Sequence, residues 1–313
     1  MASEPIIIIT TSSSSASISR LKQSAPWPSR VKDFWALTKP EVNSLIVVAT
    51  FAGFWMAYAS NSGTFPFSLL ANTLVGTLLV ASGAGTLNQY LERRFDAQMR
   101  RTGRRPLVAG RLKPSAVLSF GVVLSTVGSI YLALAVNLLA SLLATATVLS
   151  YLFVYTPLKR KTPFCTAIGV LPGATAPLIG WAAAGRLSPE AWGLYAVLFL
   201  WQFPHFMAIA WMYRDDYDRA GYLVLPQGKA RGSFVALQTM LPLVALFPIS
   251  LLMASYAGRN VIYCIGSLLL SLGFFFYGSH FVIRRSRSAA RRLLLASVIY
   301  LPSLLVLMVV CKN

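Results

Sequence analysis

Charged residues are scarce in this sequence and make up 12% of its 313 positions. Soluble domains carry about 25% charged residues, so the composition argues against a soluble globular protein. Only nine residues are acidic, and the net charge is +19. The basic residues lie in short segments between apolar runs, with no aromatic-rich nucleic-acid motif among them, which argues against an RNA or DNA partner.

Residues that form disulfides or bind soft metals are also few. The three cysteines, Cys165, Cys264 and Cys311, lie far apart, and none belongs to a CxxC pair. The spacing therefore argues against a disulfide framework and a cysteine-rich zinc site. The only two histidines are His205 and His280. His205 lies inside an apolar run, where an ionisable residue is a functional candidate.

Apolar residues are abundant, at 56% of the chain. A membrane-spanning helix needs about 20 predominantly apolar residues. The sequence predicts an all-α polytopic membrane helix bundle with about nine transmembrane helices. The nine candidate runs are roughly 42–60, 66–87, 115–134, 137–155, 164–184, 191–212, 233–254, 261–281 and 293–310.

The distribution of basic residues supports this span count. If nine spans alternate, 25 of the 28 lysines and arginines fall in segments on one side of the membrane and three on the other. Such an excess marks the cytoplasmic side. It predicts that the N-terminus lies inside, and it accounts for most of the positive charge without a nucleic-acid partner.

The first 35 residues differ from the rest of the chain. They include the polar, low-complexity stretch TTSSSSASIS, a composition typical of disorder. The sequence therefore predicts a disordered N-terminal tail over 1–35 and a single membrane domain over 36–313.

Five of the nine acids fall in two places, and the first is the stretch NQYLERRFDAQMRRTGRRPL. Residues four apart on a helix lie about 40° apart around the axis and about 6 Å apart along it. Asn88, Glu92 and Asp96 therefore share one helix face. Like charges at this spacing repel each other, so a positive partner is required, and Arg100 is the nearest basic residue on that face.

A divalent cation fits this column better than a single arginine does. Mg²⁺ prefers oxygen ligands, binds through one or two carboxylates and completes its shell with water and substrate phosphates. Neighbouring basic residues would then hold phosphate oxygens directly. The alternative is a charged interfacial loop with internal ion pairs.

The second acidic place is the stretch MYRDDYDRAGYLVLP, which contains Asp215, Asp216 and Asp218. Adjacent residues on a helix point about 100° apart, so we expect only one or two of these acids to face the first cluster. Both clusters follow even-numbered spans and therefore lie on the same side. Carboxylates and cations below apolar helices form a site suited to a diphosphate with a long hydrocarbon tail.

These motifs resemble the UbiA superfamily of intramembrane prenyltransferases, which has nine helices and acidic motifs after the second and sixth. The family pattern N-x-x-x-D-x-x-x-D appears here as N-x-x-x-E-x-x-x-D, with Glu92 in place of the usual aspartate. Within the superfamily, the stretches LTKPEVNSL, YTPLKRKTPFCTAIGVLPGATAPLIGWAA and WQFPHFMAIAWMYRDDYDRAGYLVLP resemble the branch that farnesylates heme b. This resemblance runs from about residue 37 to residue 226.

The resemblance implies an enzyme that transfers a farnesyl group from farnesyl diphosphate to the 2-vinyl group of heme b, giving heme O. It implies Mg²⁺ bound by Asn88, Glu92, Asp96 and Asp216, with Asp215 as a further candidate. It implies that four basic residues hold the diphosphate: Arg101, Arg105, Lys159 and Arg160. His205 is a candidate contact for the heme iron, with a hydrogen bond inside the bundle as the alternative.

The motifs leave two other functions open. One is a UbiA-type aromatic prenyltransferase that acts on 4-hydroxybenzoate or a chlorophyll precursor. The other is a secondary transporter, although transporters usually place their acids near the bilayer midplane. For the heme branch we expect an integral protein of the bacterial inner membrane, or of the mitochondrial inner membrane in a eukaryote. Its site would face the cytoplasmic side, and a heme A synthase or a terminal oxidase assembly is a possible partner.

Overall fold

The computed structural model describes residues 27–58, 64–256 and 261–312, and these residues are helical without any strand. The helices are α1 (Trp27–Leu37), α2 (Pro40–Ala57), α3 (Phe67–Asp96), α4 (Pro114–Ala135), α5 (Leu138–Leu149), α6 (Thr156–Leu158), α7 (Cys165–Gly173), α8 (Ala176–Ala184), α9 (Pro189–Met212), α10 (Arg214–Arg219), α11 (Ala230–Tyr256), α12 (Val261–Arg284) and α13 (Arg287–Val310). A π-helical segment, Ser150–Tyr155, joins α5 to α6.

Within these described ranges, nine helical segments are long and apolar enough to cross a membrane, which confirms the predicted bundle. The largest difference from the sequence prediction is at α3. This helix has 30 residues and continues nine residues beyond the predicted end of its span. At about 1.5 Å per residue it is about 45 Å long, so the first acidic motif forms its last turns.

Two spans contain interruptions. The fourth passes through the π-helical segment before it reaches α6, and the fifth breaks between α7 and α8. Irregular backbone at membrane depth needs partners inside the protein. The Gln202 side chain donates to the Val170 carbonyl oxygen at 3.4 Å, and the Thr175 hydroxyl donates to the Pro172 carbonyl oxygen at 2.8 Å. These contacts stabilise the break between α7 and α8.

Small residues let neighbouring spans approach closely. A Cβ atom at Gly83 would lie 2.2 Å from the Ser125 hydroxyl of α4, and one at Gly180 would lie 1.9 Å from the Thr50 carbonyl oxygen of α2. Glycines at such contacts allow helix backbones to meet in a membrane. Many leucine, valine and isoleucine side chains on the outer faces of the spans are exposed, as expected for surfaces that contact lipid.

The linkers 97–113, 159–164, 213–229 and 285–286 meet at one end of the bundle, which we call the basic end. The Leu223 N–H donates to the Lys159 carbonyl oxygen at 2.7 Å, and the Trp211 indole donates to the Arg285 carbonyl oxygen at 3.0 Å. The chain terminus lies at the opposite end, where Lys312 donates to the Tyr58 carbonyl oxygen at 2.6 Å.

Helix α1 differs from the sequence prediction, because the expected boundary at residue 35 lies inside it. Asp33 of α1 pairs with Arg111 at 3.0 Å, and Phe34 packs edge-on against Phe120 of α4 at 4.9 Å. These long-range contacts order a segment that the composition assigned to a disordered tail. The part of that prediction covering residues 1–26 lies outside the described residues.

Candidate active site

The first acidic motif forms a buried column on the last turns of α3. Asn88, Glu92 and Asp96 are 2%, 6% and 1% exposed. Their spacing of four residues predicts that the three side chains share one helix face, and the continuous helix α3 places them on it. Isolated carboxylates are too costly to bury without partners, so the protein has to compensate both charges.

Each carboxylate of the column pairs with a basic residue from a linker. The Lys159 ammonium lies 2.7 Å from a Glu92 carboxylate oxygen, and the Arg105 guanidinium lies 2.5 Å from an Asp96 carboxylate oxygen. The sequence assigned Lys159 and Arg105 to a diphosphate. In the structure both residues contact the acids, and Arg105 rather than Arg100 is the basic partner of Asp96.

Lys39 is a site residue that sequence reasoning missed, because it was counted among the cations of the N-terminal tail. Its ammonium donates to the Asn88 side-chain oxygen at 3.2 Å. Lys39 has a left-handed backbone, with φ 53° and ψ 60°, and Pro40 opens α2 directly after it. A proline disfavours the right-handed helical conformation in the residue before it, so the sharp turn between α1 and α2 directs Lys39 towards α3. The LTKP motif was the available signal.

Lys39 and Lys159 have opposite electrostatic surroundings. Although burial disfavours its charge, the Glu92 carboxylate holds the pKa of Lys159 well above its usual value. Burial, together with the nearby Arg105, lowers the pKa of Lys39 to about 7. In the part of the chain that the structure describes, Lys39 forms no ion pair with a carboxylate. It is a half-buried amine whose charge an incoming anion would stabilise.

Asp216 connects the second acidic motif to the first. Its carboxylate accepts hydrogen bonds from the backbone N–H groups of Arg100 and Arg101, each at 3.3 Å, and pairs with Arg219. Arg100 and Arg101 follow the end of α3 by only a few residues. One carboxylate therefore joins α10 to the segment that leaves the column.

The other two acids of α10 have different surroundings. The Asp215 side chain is 55% exposed and pairs with Arg287 at 2.8 Å. The Asp218 side chain is 40% exposed and pairs with Arg231 at 3.1 Å. The sequence predicts that only one or two of these three acids face the first cluster. Asp216 is the buried one, and Asp215 lines the cavity described next.

A cavity of about 470 Å³ opens at the basic end beside Asp216. Its lining includes Arg100 and Arg101 from the linker after α3, together with Tyr213 and Asp215. The Arg101 guanidinium lies over the Tyr213 ring at 4.8 Å. The other predicted diphosphate contact, Arg160, lies over the Phe95 ring at 4.4 Å. Both arginines are exposed at the site rather than paired with an acid.

His205 lies in α9, farther from the basic end of the bundle than the acidic motifs. Its Nδ1 atom is 2.7 Å from the Ser297 hydroxyl of α13, and its ring stacks on Trp201 at 4.7 Å. The hydrogen bond inside the bundle that the sequence left as an alternative is therefore present. It engages only one of the two ring nitrogens.

The donor atoms of the site suit Mg²⁺ better than a soft metal, because they are carboxylate and amide oxygens. No group of three or more histidine, cysteine, aspartate or glutamate side chains could hold a metal by itself within the described ranges. Magnesium sites in proteins often take only one or two carboxylates and complete the shell with water and substrate phosphates. Lys159 and Arg105 lie next to the carboxylates and balance the negative charge that Mg²⁺ would otherwise balance.

Comparison with known proteins identifies the family. Residues 46–301 match the UbiA prenyltransferase family. The chain is 44% identical to the protoheme IX farnesyltransferase of Solibacter usitatus over 87% of this chain and 96% of that protein. It is 42% identical to the protein of the same name from Salinibacter ruber, over 89% and 98% of the two chains.

Solved structures share the fold at low sequence identity. A digeranylgeranylglyceryl phosphate synthase superposes with a TM-score of 0.70 at 17% identity, covering 91% of this chain and 99% of that one. A UbiA homologue from Archaeoglobus fulgidus, bound to DMAPP and Mg²⁺, superposes with a TM-score of 0.57 at 15% identity, covering 88% and 99%. The chain therefore belongs to the UbiA prenyltransferase family and, within it, to the protoheme IX farnesyltransferases.

Proposed function

We propose that this protein transfers the farnesyl group of farnesyl diphosphate to the 2-vinyl group of heme b and so forms heme O. The observation that carries the proposal is the buried α3 column, which Asp216 links to the second acidic motif at one end of the bundle. The protoheme IX farnesyltransferases that resemble this chain along most of their length support the choice of substrates.

The diphosphate binds at the basic end in this proposal. Asn88, Glu92, Asp96 and Asp216 hold Mg²⁺, and Asp215 contributes from the cavity rim. Mg²⁺ supplies positive charge that neutralises the oxygens of the departing diphosphate. The A. fulgidus homologue bound to Mg²⁺ and a prenyl diphosphate supports this metal. With Mg²⁺ bound, the carboxylates of Glu92 and Asp96 would contact the metal, and Lys159 and Arg105 would be available to the phosphate oxygens.

Basic residues around the column complete the diphosphate site. Arg101 and Arg160 are exposed, and each lies over an aromatic ring. The half-buried Lys39 contacts Asn88, so a diphosphate oxygen would offset the cost of its partly buried charge. These groups act on charge that develops as the diphosphate leaves, and stabilisation of that kind lowers the barrier to reaction.

The reaction balances with water as the third reactant. The bond between C1 of the farnesyl group and the diphosphate oxygen breaks, and its electron pair leaves with the diphosphate. The terminal carbon of the vinyl group then forms a bond to C1, which leaves a cation on the vinyl carbon next to the ring. Water adds to that cation and loses a proton, giving the hydroxyl group. Apolar helices above the site exclude water from the first cation.

The heme lies higher in the bundle than the diphosphate in this proposal. His205 is seven residues before Met212, the end of α9, or about 10 Å along the helix axis. A contact between His205 and the heme iron would place the porphyrin between α9 and the diphosphate site. The hydrocarbon tail would lie among the apolar side chains of the spans.

The same proposal covers the location of the protein. The nine apolar spans and the family indicate an integral membrane protein, and a mitochondrial relative from Arabidopsis thaliana is 34% identical. We propose a bacterial inner membrane, or a mitochondrial inner membrane in a eukaryote, with the N-terminus and the basic end inside. The excess of basic residues supports this orientation. A heme A synthase or a terminal oxidase assembly would receive the product.

The direct test is a reconstituted assay in liposomes with heme b, farnesyl diphosphate and Mg²⁺. We expect a product heavier than heme b by a farnesyl group plus a hydroxyl group, and we expect EDTA to prevent its formation. Prenylation of 4-hydroxybenzoate instead of heme would contradict the proposed acceptor and keep the diphosphate site. Saturable uptake of a solute without any prenyl transfer would contradict both.

A further inference from the structure

A hydrogen-bonded unit connects α9 to α13 away from the acidic motifs. Trp201 and His205 are one turn apart on α9, and their rings stack with an interplanar angle of 28°. The Ser297 carbonyl oxygen accepts a hydrogen bond from the Trp201 indole at 2.8 Å. The Ser297 hydroxyl lies 2.7 Å from His205 Nδ1. One fully buried residue of α13 therefore fixes both rings.

The hydrogen bonds of Ser297 determine which nitrogen of His205 carries the proton. A serine hydroxyl has one proton to donate, and Ser297 donates it to the Leu294 carbonyl oxygen at 2.6 Å. Its oxygen must then accept from His205 Nδ1–H. In a neutral imidazole the other nitrogen, Nε2, carries the lone pair. This assignment follows from the partners of the heavy atoms.

The Nε2 atom of His205 is available for a ligand. No hydrogen bond from the described part of the chain reaches it. It is also not one of the fully buried polar atoms without a partner, so its surface is accessible. Neutral imidazole nitrogen is a common ligand of heme iron. Histidines that bind metals usually donate the other N–H to a fixed acceptor, which is the arrangement that Ser297 provides.

We infer that Ser297 is a positioning residue. It holds His205 so that Nε2 is free to bind the iron of heme, the acceptor. The inference rests on the proposed function for the identity of the acceptor. Stacking on Trp201 keeps the imidazole from rotating about its own bonds, and the hydroxyl of Ser297 selects the tautomer. Without that hydroxyl, His205 can present either nitrogen and several orientations to the iron.

Heme binding by the full chain in nanodiscs, without farnesyl diphosphate, tests this inference. The absorption spectrum and the heme affinity are measured for the wild type, His205→Ala, Ser297→Ala and Ser297→Thr. His280→Ala is the matched control, because His280 also lies in a span, where its ring stacks only on Phe276.

We expect His205→Ala to remove the spectrum of a histidine-ligated heme. Ser297→Ala should weaken heme binding about tenfold or more, as loss of the hydrogen-bond partner of a metal-bound histidine generally does. Ser297→Thr keeps the hydroxyl and should restore the spectrum and most of the affinity. His280→Ala should match the wild type. Added imidazole should restore the ligated spectrum to His205→Gly.

Three outcomes would overturn the inference. The first is a wild-type spectrum and affinity in Ser297→Ala, and the second is an unchanged spectrum in His205→Ala. The third is a Ser297→Ala protein that also loses Mg²⁺-dependent binding of a farnesyl diphosphate analogue, since that would show a general loss of structure. Heme O formation in the same preparations separates the two proposals. If the wild type forms heme O but His205→Ala and Ser297→Ala both keep the wild-type heme spectrum, the role of Ser297 is removed and the proposed function is kept.

Discussion

The two acidic motifs at the basic end differ in how the protein treats their charges. In the α3 column, both carboxylates are buried and pair with basic residues of two linkers, Lys159 after α6 and Arg105 directly after α3. In α10, only Asp216 is buried, and Asp215 and Asp218 are exposed beside arginines. Burying a carboxylate is costly unless it is compensated. The comparison therefore separates three buried acids, Glu92, Asp96 and Asp216, from two exposed ones, Asp215 and Asp218.

The largest expected effect comes from the column. Replacing Glu92 or Asp96 by alanine should lower turnover of heme b about 10²- to 10³-fold, the range for removing one preorganised electrostatic group. Each substitution removes a proposed metal ligand and leaves a basic residue uncompensated. Heme O formation measured by liquid chromatography and mass spectrometry checks the loss. Near-normal product from either variant would contradict the assigned role of the column.

A paired substitution separates catalysis from stability at the same position. Breaking a buried ion pair by removing one partner costs about 3–5 kcal/mol, whereas replacing both partners by neutral groups is often tolerated. We expect Glu92→Gln to lower the melting temperature and Glu92→Gln with Lys159→Met to recover much of it. Turnover should remain low in both. If the double variant regained turnover, the pair would be structural only.

Asp216 should have the next largest effect. Asp216→Asn keeps the shape of the side chain but removes the negative charge that joins Arg100 and Arg101 to α10. We expect turnover to fall about 100-fold, because the contact to the linker after α3 is weakened and the proposed contact to the metal is lost. The matched control is Asp218→Asn, which changes the same residue type on the same short helix. Equal losses in the two variants would contradict the distinction between buried and exposed acids.

Asp215 should have an intermediate effect. Its carboxylate lines the cavity but is more than half exposed and pairs with an exposed Arg287. Exposed ion pairs contribute about 0–1 kcal/mol to stability. If Asp215 acts only through its pair with Arg287, we therefore expect turnover to change a few-fold at most. A direct metal ligand would lose far more. Steady-state kinetics of Asp215→Asn over a range of Mg²⁺ concentrations separates the two cases.

The smallest effect is expected at Asp218. Asp218 pairs with Arg231 outside the lining of the cavity beside Asp216, and its side chain is 40% exposed. We expect Asp218→Asn to change turnover by less than about twofold and the free energy of unfolding by less than about 1 kcal/mol. A thermal unfolding curve and the heme O assay measure both quantities. A loss as large as that of Asp216→Asn would bring Asp218 into the site.

The sequence was sufficient for features that depend on local pattern. Apolar runs predicted the nine spans, and the spacing of four residues predicted the shared face of Asn88, Glu92 and Asp96. Runs of small residues such as ASGAG, at 81–85, are typical of close helix contacts in membranes, and Gly83 makes one with α4. Helical periodicity and span length are both properties of neighbouring residues, so no knowledge of distant contacts was needed.

Features that depend on long-range contacts could not be predicted. Lys39 belongs to the site only because the turn before Pro40 directs it to Asn88, 49 positions later in the chain. The residue that pairs with Asp96 is Arg105 rather than Arg100, because the linker after α3 folds back on the helix. The role of Ser297 depends on the packing of α13 against α9, 92 positions apart at His205.

Binding of a non-reactive farnesyl diphosphate analogue, titrated with and without Mg²⁺, tests most directly whether the two acidic motifs form one site. The account predicts tight, Mg²⁺-dependent binding to the wild type and to Asp218→Asn. It predicts a loss of the Mg²⁺-dependent part in both Glu92→Ala and Asp216→Asn. Binding that is lost in Glu92→Ala but unchanged in Asp216→Asn would contradict the account, because the α3 column would then bind the metal and diphosphate without the second motif.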